Sequence, residues 1–109
     1  MPDRAAIVTG ASSGIGLAVA RMLGEEGHGL TVAARRPDKL AGAAQELRDA
    51  GFEVEEVAGN MADEETIKGV VAAHRDRFGR LDVLVNNAGV GDGAAAADHE
   101  TKRIDLHSR

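Results

Sequence analysis

The chain has 109 residues, with 13 Lys plus Arg against 18 Asp plus Glu and a formal charge of −5. Its 43% hydrophobic and 28% charged residues describe a folded globular chain of single-domain size and exclude a disordered one. The absence of cysteine excludes a disulfide framework, a thiolate metal site and a cysteine nucleophile, and it fits a reducing, cytoplasmic setting.

The N-terminus, Met1-Pro2-Asp3-Arg4, carries no long apolar leader, and nowhere is an apolar stretch long enough to span a bilayer, so neither export nor a membrane partner is expected. An acidic chain whose only aromatics are Phe52 and Phe78 lacks the basic footprint and the stacking ladder of a nucleic-acid binder.

In chain order, Ala5 to Val8 is a short continuous apolar run broken by Thr9-Gly10, which predicts a strand buried on both faces. From Gly14, the residues Ile15, Ala18, Val19, Met22 and Leu23 recur at helical spacing until Gly27. Leu30 to Ala34 predicts a second strand. Pro37 and Asp38 then open a helix whose Leu40, Ala44 and Leu47 share one face before Gly51. Phe52, Val54 and Val57, set among glutamates, predict a weaker third strand. Asp63-Glu64-Glu65 supply negative charge suited to a helix N-terminus, and Ile67, Val70, Val71, His74 and Phe78 continue that helix to Gly79. Leu81 to Val85 is a fourth strand, closed by Asn86-Asn87-Ala88-Gly89. A glycine- and alanine-rich loop follows, then a polar stretch from Asp98 to Arg109 in which only Ile104 and Leu106 offer an anchor for the start of a fourth helix. Apolar strands alternating with helices imply βαβ units: an α/β, doubly wound parallel sheet with helices on both faces.

The main functional signal is Thr9-Gly10-Ala11-Ser12-Ser13-Gly14-Ile15-Gly16, between the first strand and the first helix. Glycine there tolerates positive φ and lets backbone approach a ligand, while the helix N-terminus presents unpaired N–H groups and the positive end of its dipole, a fit for pyrophosphate. Three residues separate Gly10 from Gly14 and one separates Gly14 from Gly16, so the spacing departs from the general dinucleotide pattern G-x-G-x-x-G. A tight turn that merely needs glycine is the plain alternative, and the strand–loop–helix context weighs against it.

The loop resembles the T-G-x-x-x-G-x-G signature of the short-chain dehydrogenase/reductase family, and Asn86-Asn87-Ala88-Gly89 resembles that family's N-N-A-G motif. The resemblance implies a Rossmann-type sheet of order 3-2-1-4, here cut after the fourth strand, so that residues 1–109 form one partial NAD(P)-binding domain. It implies cofactor contacts from Gly10, Ser12, Ser13, Gly14, Ile15 and Gly16 in the loop and from Asn87, Ala88 and Gly89 after the fourth strand, with Asn86 helping to hold the sheet.

Cofactor choice is read at the end of the second strand, about 20 residues beyond the loop, where an acid would accept bonds from a ribose and an arginine would pair with a 2′-phosphate. Arg35 and Arg36 stand there, so NADP is favoured over NAD, with Arg35 the family-like phosphate partner and Ser13 able to add a hydroxyl. Two solvated arginines are the bland alternative. At the family's adenine-contacting aspartate stands Asn60, followed by Met61; an amide oxygen can still accept from the adenine amino group. Asp63 reads as a helix cap.

The histidines carry little: His74 reads as a packing residue, His28 as part of a Gly27/Gly29 turn, and His99 and His107 as tail residues. No pair has metal-ligand spacing, and no metal is expected.

By resemblance the reaction would be hydride transfer between nicotinamide and a small carbonyl or alcohol, with a serine, a tyrosine and a lysine four residues beyond it. The chain contains no tyrosine, so no catalytic residue is assigned, and substrate turnover is expected only if a C-terminal half is supplied. Ile104-Asp105-Leu106-His107 resembles the family's I-D-V-N stretch but ends in histidine, which is not read as catalytic. An unpaired, apolar fourth strand would be an edge open to association. The alternative function is a noncatalytic dinucleotide-binding or assembly module.

Overall fold

The computed structural model describes residues 3–12 and 14–87, and the backbone of residues 100–102. Its elements are β1 Arg4–Thr9, α1 Gly14–Glu25, β2 His28–Ala34, α2 Pro37–Asp49, β3 Val54–Ala58, α3 Glu64–Phe78, β4 Val83–Asn86 and β5 Glu100–Lys102. The sheet order is β3-β2-β1-β4-β5; β1 pairs in parallel with β2 and β4, and β2 with β3. This is the expected doubly wound order 3-2-1-4, with one strand more.

The side-chain period of two divides the sheet into two faces. Ala6, Val8, Leu30, Val32, Val54, Val83 and Val85 form one core with Ala20 of α1 and Leu40, Ala44 and Leu47 of α2. Ile7 and Ala33 face the other way and pack with Val70 of α3 and with Leu81, joined by Val57, Met61 and Leu84. Helices therefore cover both faces, which is why β1 and β2 read as unbroken apolar runs.

Two helix starts follow their sequence signals. Pro37 sits in the first turn of α2, and the Asp63 side chain accepts the Glu65 N–H at 3.0 Å at the start of α3.

Three expectations change. The outer edge of β4 is not open: β5 pairs with it antiparallel, Leu84 opposite Lys102, Val85 opposite Thr101 and Asn86 opposite Glu100. Association through a bare fourth strand loses its basis there, because the ladder satisfies the backbone groups. Within the Asp98 to Arg109 stretch, where the start of a fourth helix was expected, residues 100–102 form this strand. His28 belongs to β2 rather than to a turn, buried with Nδ1 3.0 Å from the Leu23 carbonyl; that local bond lets a polar ring open a buried strand.

Candidate functional site

The C-terminal ends of β1 and β4 lie side by side, and the polar residues ending them are tied together. Thr9 Oγ1 lies 3.1 Å from Asn86 Oδ1 and 3.4 Å from the Val85 carbonyl, and it accepts the Asn87 backbone N–H at 3.0 Å. Asn87 Nδ2 donates to the Gly10 carbonyl at 3.4 Å, a long bond. Two segments 77 and 78 residues apart in sequence thus share one polar seam at the switch point of the sheet, where doubly wound folds place their ligands.

The glycine loop is built onto that seam. Gly10 and Gly14 have φ of 66° and 62°, a region costly for any residue with a Cβ. Among the described residues nothing lies within 4 Å of a Cβ placed on Gly14, so there it is the backbone conformation and not crowding that calls for glycine. Gly16 is the opposite case: a Cβ there would collide with the Gly10 carbonyl oxygen, 2.8 Å from the Gly10 carbonyl carbon and 3.0 Å from Asn87 Nδ2. Gly16 therefore lets the first turn of α1 seat against the end of β1. The Ala11 N–H, donated to the Ala33 carbonyl at 3.2 Å, holds the loop over β2. Ser12 is half-buried and Ile15 is exposed; Ser13 lies outside the described residues.

One polar atom in the seam is left over. Asn87 Oδ1 is buried and has no hydrogen-bond partner among the described residues. A buried orphan acceptor is costly unless a partner completes it, and a sugar hydroxyl would do so. The loop, the helix N-terminus and this acceptor fit a dinucleotide.

Arg35 and Arg36 follow directly on the last residue of β2, exposed, and neither forms an ion pair among the described residues. Arg36 is the N-cap position of α2 with no side-chain capping bond, so both guanidinium groups are available to an anion. Gly59 donates its N–H to the Ala34 carbonyl at 2.9 Å, bringing the end of β3 against the end of β2. Just beyond, exposed Asn60 turns its Oδ1 back to accept the Ala62 N–H at 2.9 Å. The Met61 side chain packs into the α3-side core and lines an apolar pocket of about 230 Å³ with Ile7, Ile67, Val70 and Leu84, leaving only its backbone to the strand ends. Ala88 and Gly89, like Gly91, Gly93, His99 and the 103–109 stretch with Ile104, Leu106 and His107, lie outside the described residues.

Sequence reasoning missed two polar networks away from the loop. His74 is buried; Nδ1 lies 2.7 Å from Thr31 Oγ1 and Nε2 2.7 Å from the Arg80 carbonyl, so the ring joins α3, β2 and the approach to β4. Burial holds its pKa below the ordinary imidazole value, against the opposing pull of the Arg80 carbonyl and the Asp82 charge. Arg80 grips Asp82 through Nε at 2.8 Å and Nη2 at 2.7 Å, while Asp82 Oδ2 accepts the Ala5 N–H at 2.9 Å. The Arg80 hydrogen bond holds the Asp82 carboxyl below the usual carboxylate range. Ala5 begins the buried run of β1, so this pair closes the sheet at the end away from the glycine loop. Among the described residues no group of three or more His, Cys, Asp or Glu could hold a metal ion, and no helix is long and apolar enough to cross a membrane.

Comparison with known proteins agrees with this geometry. The family profile of short chain dehydrogenases matches residues 4–107. The chain is 46% identical over 93 residues to a Streptomyces violaceoruber protein named as ketoacyl reductase 1 of the granaticin polyketide synthase, covering 85% of this chain and 34% of that one. It is 39% identical over 88 residues to a 3-oxoacyl-acyl-carrier-protein reductase of Staphylococcus aureus, covering 80% of this chain and 36% of that one. Among solved structures, the L-sorbose reductase of Gluconobacter frateurii with NADPH and L-sorbose superposes with a TM-score of 0.78 at 40% identity, over 90% of this chain and 38% of that one. The actinorhodin polyketide ketoreductase with NADPH does so at 0.77 and 44%, over 89% and 37%. The chain spans about a third of the length of the curated relatives it matches.

Proposed function

We propose that this chain, which belongs to the short-chain dehydrogenase family, is the NADPH-binding portion of a reductase that moves hydride between nicotinamide and a small carbonyl or alcohol. When bound, the dinucleotide supplies the hydride. The residues here bind and orient it.

In this reading residues 1–109 form one partial dinucleotide-binding domain. The N–H groups at the start of α1 meet the pyrophosphate where Gly14 leaves open space, with Gly10, Ser12, Ser13, Ile15 and Gly16 shaping the approach. Asn87 Oδ1 takes a ribose hydroxyl as its missing donor, with Ala88 and Gly89 beside it. Arg35, flanked by Arg36, pairs with the 2′-phosphate through charge-assisted bonds. Asn60 and the Met61 backbone flank the base. The NADPH-bound structures of the sorbose reductase and the actinorhodin ketoreductase support the cofactor choice.

The buried Asn87 oxygen, without a hydrogen-bond partner among the described residues and beside the positive-φ glycine loop, supports this reading most directly. The chain has no tyrosine, so the proton transfer that completes hydride transfer comes from residues outside these 109. Titrating the purified chain against NADPH, followed by nicotinamide fluorescence, tests both parts. Saturable binding is expected, with no oxidation of NADPH when carbonyl compounds are added. Absence of binding refutes the reading.

A further inference from the structure

Val54 opens β3, and its backbone carbonyl receives two arginines. Arg48 of α2 donates to it from Nη2 at 2.9 Å, and Arg77 of α3 donates to it from Nη1 at 3.0 Å. A carbonyl oxygen has two lone pairs, so this acceptor is fully occupied. The two helices lie on opposite faces of the sheet, and their guanidinium groups therefore reach one atom from either side.

That atom lies on the free side of the sheet. β3 ends the strand order, and among the described residues only β2 pairs with it. The Glu53 carbonyl accepts the Leu30 N–H at 2.9 Å, and the Gly59 N–H donates to the Ala34 carbonyl at 2.9 Å, so these residues turn their backbone groups toward β2. Backbone groups alternate in direction along a paired strand, which turns those of Val54, Glu56 and Ala58 outward. Such a row of donors and acceptors is what recruits another chain to an edge strand. The next strand would lie about 4.8 Å beyond β3, in the space the two guanidinium groups fill, and it would need the Val54 carbonyl free.

Each arginine is held at the edge by an acid of its own face. Val54 packs in the α2-side core and shares its face with Glu56, whose Oε1 lies 2.9 Å from Arg48 Nη1. Val57 packs in the α3-side core and shares its face with Glu55, whose Oε1 lies 3.2 Å from Arg77 Nη1. Glu53 Oε1 lies 3.6 Å from Arg77 Nη2, and the Arg77 guanidinium also stands over the Phe78 ring, 5.5 Å from its centroid.

We propose that Arg48 and Arg77 are an autoinhibitory clasp on β3, which keeps its outward edge from pairing with β3 of a second copy of this chain. The second copy is the partner excluded because a two-fold axis would bring two such edges together antiparallel, with no other chain needed.

Sedimentation velocity over a range of concentrations compares the full chain, wild type and Arg48→Met/Arg77→Met, in about 0.5 M salt to screen the glutamates left without their arginines. Methionine keeps an apolar stem in place of each arginine and removes the charge and the donors. Self-association of the double variant is expected to be at least about tenfold tighter than that of the wild type. Adding Glu56→Pro, which deletes an outward N–H and no bond to β2, is expected to return association to the wild-type value. Circular dichroism checks each fold. If the double variant is unfolded, Arg48→Met and Arg77→Met are read singly, each expected to associate at least about threefold more tightly than the wild type. No gain in association overturns the proposal. A gain that Glu56→Pro leaves in place overturns it too, because the contact then uses another surface.

Discussion

The Thr9 hydroxyl accepts the backbone N–H of Asn87 at 3.0 Å, across 78 residues of sequence. It joins the end of β1 to the end of β4 just where the glycine loop leaves the sheet. A threonine rather than an apolar β-former is needed there, since valine fills the same volume without the acceptor. Thr9→Val is expected to lower stability by about 1–2 kcal/mol, by orphaning a polar N–H in the seam, and to weaken NADPH binding in step. Thr9→Ser is expected to keep most of both. Urea denaturation with NADPH titration on each variant checks this.

The glycines separate into those the site needs and those it does not. Gly16→Ala drives its methyl group into the Gly10 carbonyl and is expected to lose binding together with several kcal/mol of stability, on the order of 2–4. Gly14→Val is expected to abolish NADPH binding, because it strains a backbone at φ 62° and fills the space left for phosphate. Gly42→Ala and Gly69→Ala, on helices where no described residue lies within 4 Å of the added methyl, are expected to raise stability by about 0.5–1 kcal/mol each without touching binding. Thermal melts of the four variants read the contrast.

Arg35→Ala is expected to weaken NADPH about tenfold or more while leaving NADH within about twofold, since only NADPH carries the 2′-phosphate. Equal losses for the two cofactors would remove Arg35 from phosphate recognition. Calorimetric titration of both cofactors measures the ratio.

Two pH windows are expected in stability. His74 has its folded-state pKa lowered by burial, so the unfolded chain takes up the proton first as pH falls. The stability this neutral ring contributes is full well above about 6.5, the ordinary imidazole value, and is lost as pH drops through that value toward the folded pKa. Asp82 also has a lowered pKa, set by Arg80; its contribution is present above the ordinary carboxylate value and disappears only as pH falls through its still lower folded value. The urea midpoint is expected to decline in the His74 window, flatten, and decline again in strong acid. His74→Gln is expected to erase the first step and Asp82→Asn to shrink the second.

Much of this fold is legible in the sequence because its signals are local. The apolar runs of β1 and β2, the Pro37 and Asp63 helix starts and the spacing of Gly10, Gly14 and Gly16 are each set within a few residues. What stayed hidden depends on partners far along the chain. His74 reads as packing from its helical face alone; its bond to Thr31, 43 residues away, shows only once α3 is laid on β2. The turn in which Asn60 Oδ1 accepts the Ala62 N–H likewise shows only once the backbone after β3 is in place. β5 was invisible because a short polar segment, Glu100–Lys102, forms a strand only by pairing with an edge already in place. The Arg80–Asp82 pair was detectable as an R-x-D step before a strand, but its bond to the Ala5 N–H was not.

The central claim is that NADPH lies across the strand ends from the glycine loop to Arg35 and Asn60. The most direct measurement is a backbone amide NMR spectrum of the labelled chain during titration with NADPH. Saturable shifts are expected, concentrated at Gly10, Gly14, Gly16, Arg35, Asn60 and Asn87, with those at Arg35 much smaller for NADH. Shifts centred instead on the apolar pocket beside α3, or none at saturating NADPH, would contradict it.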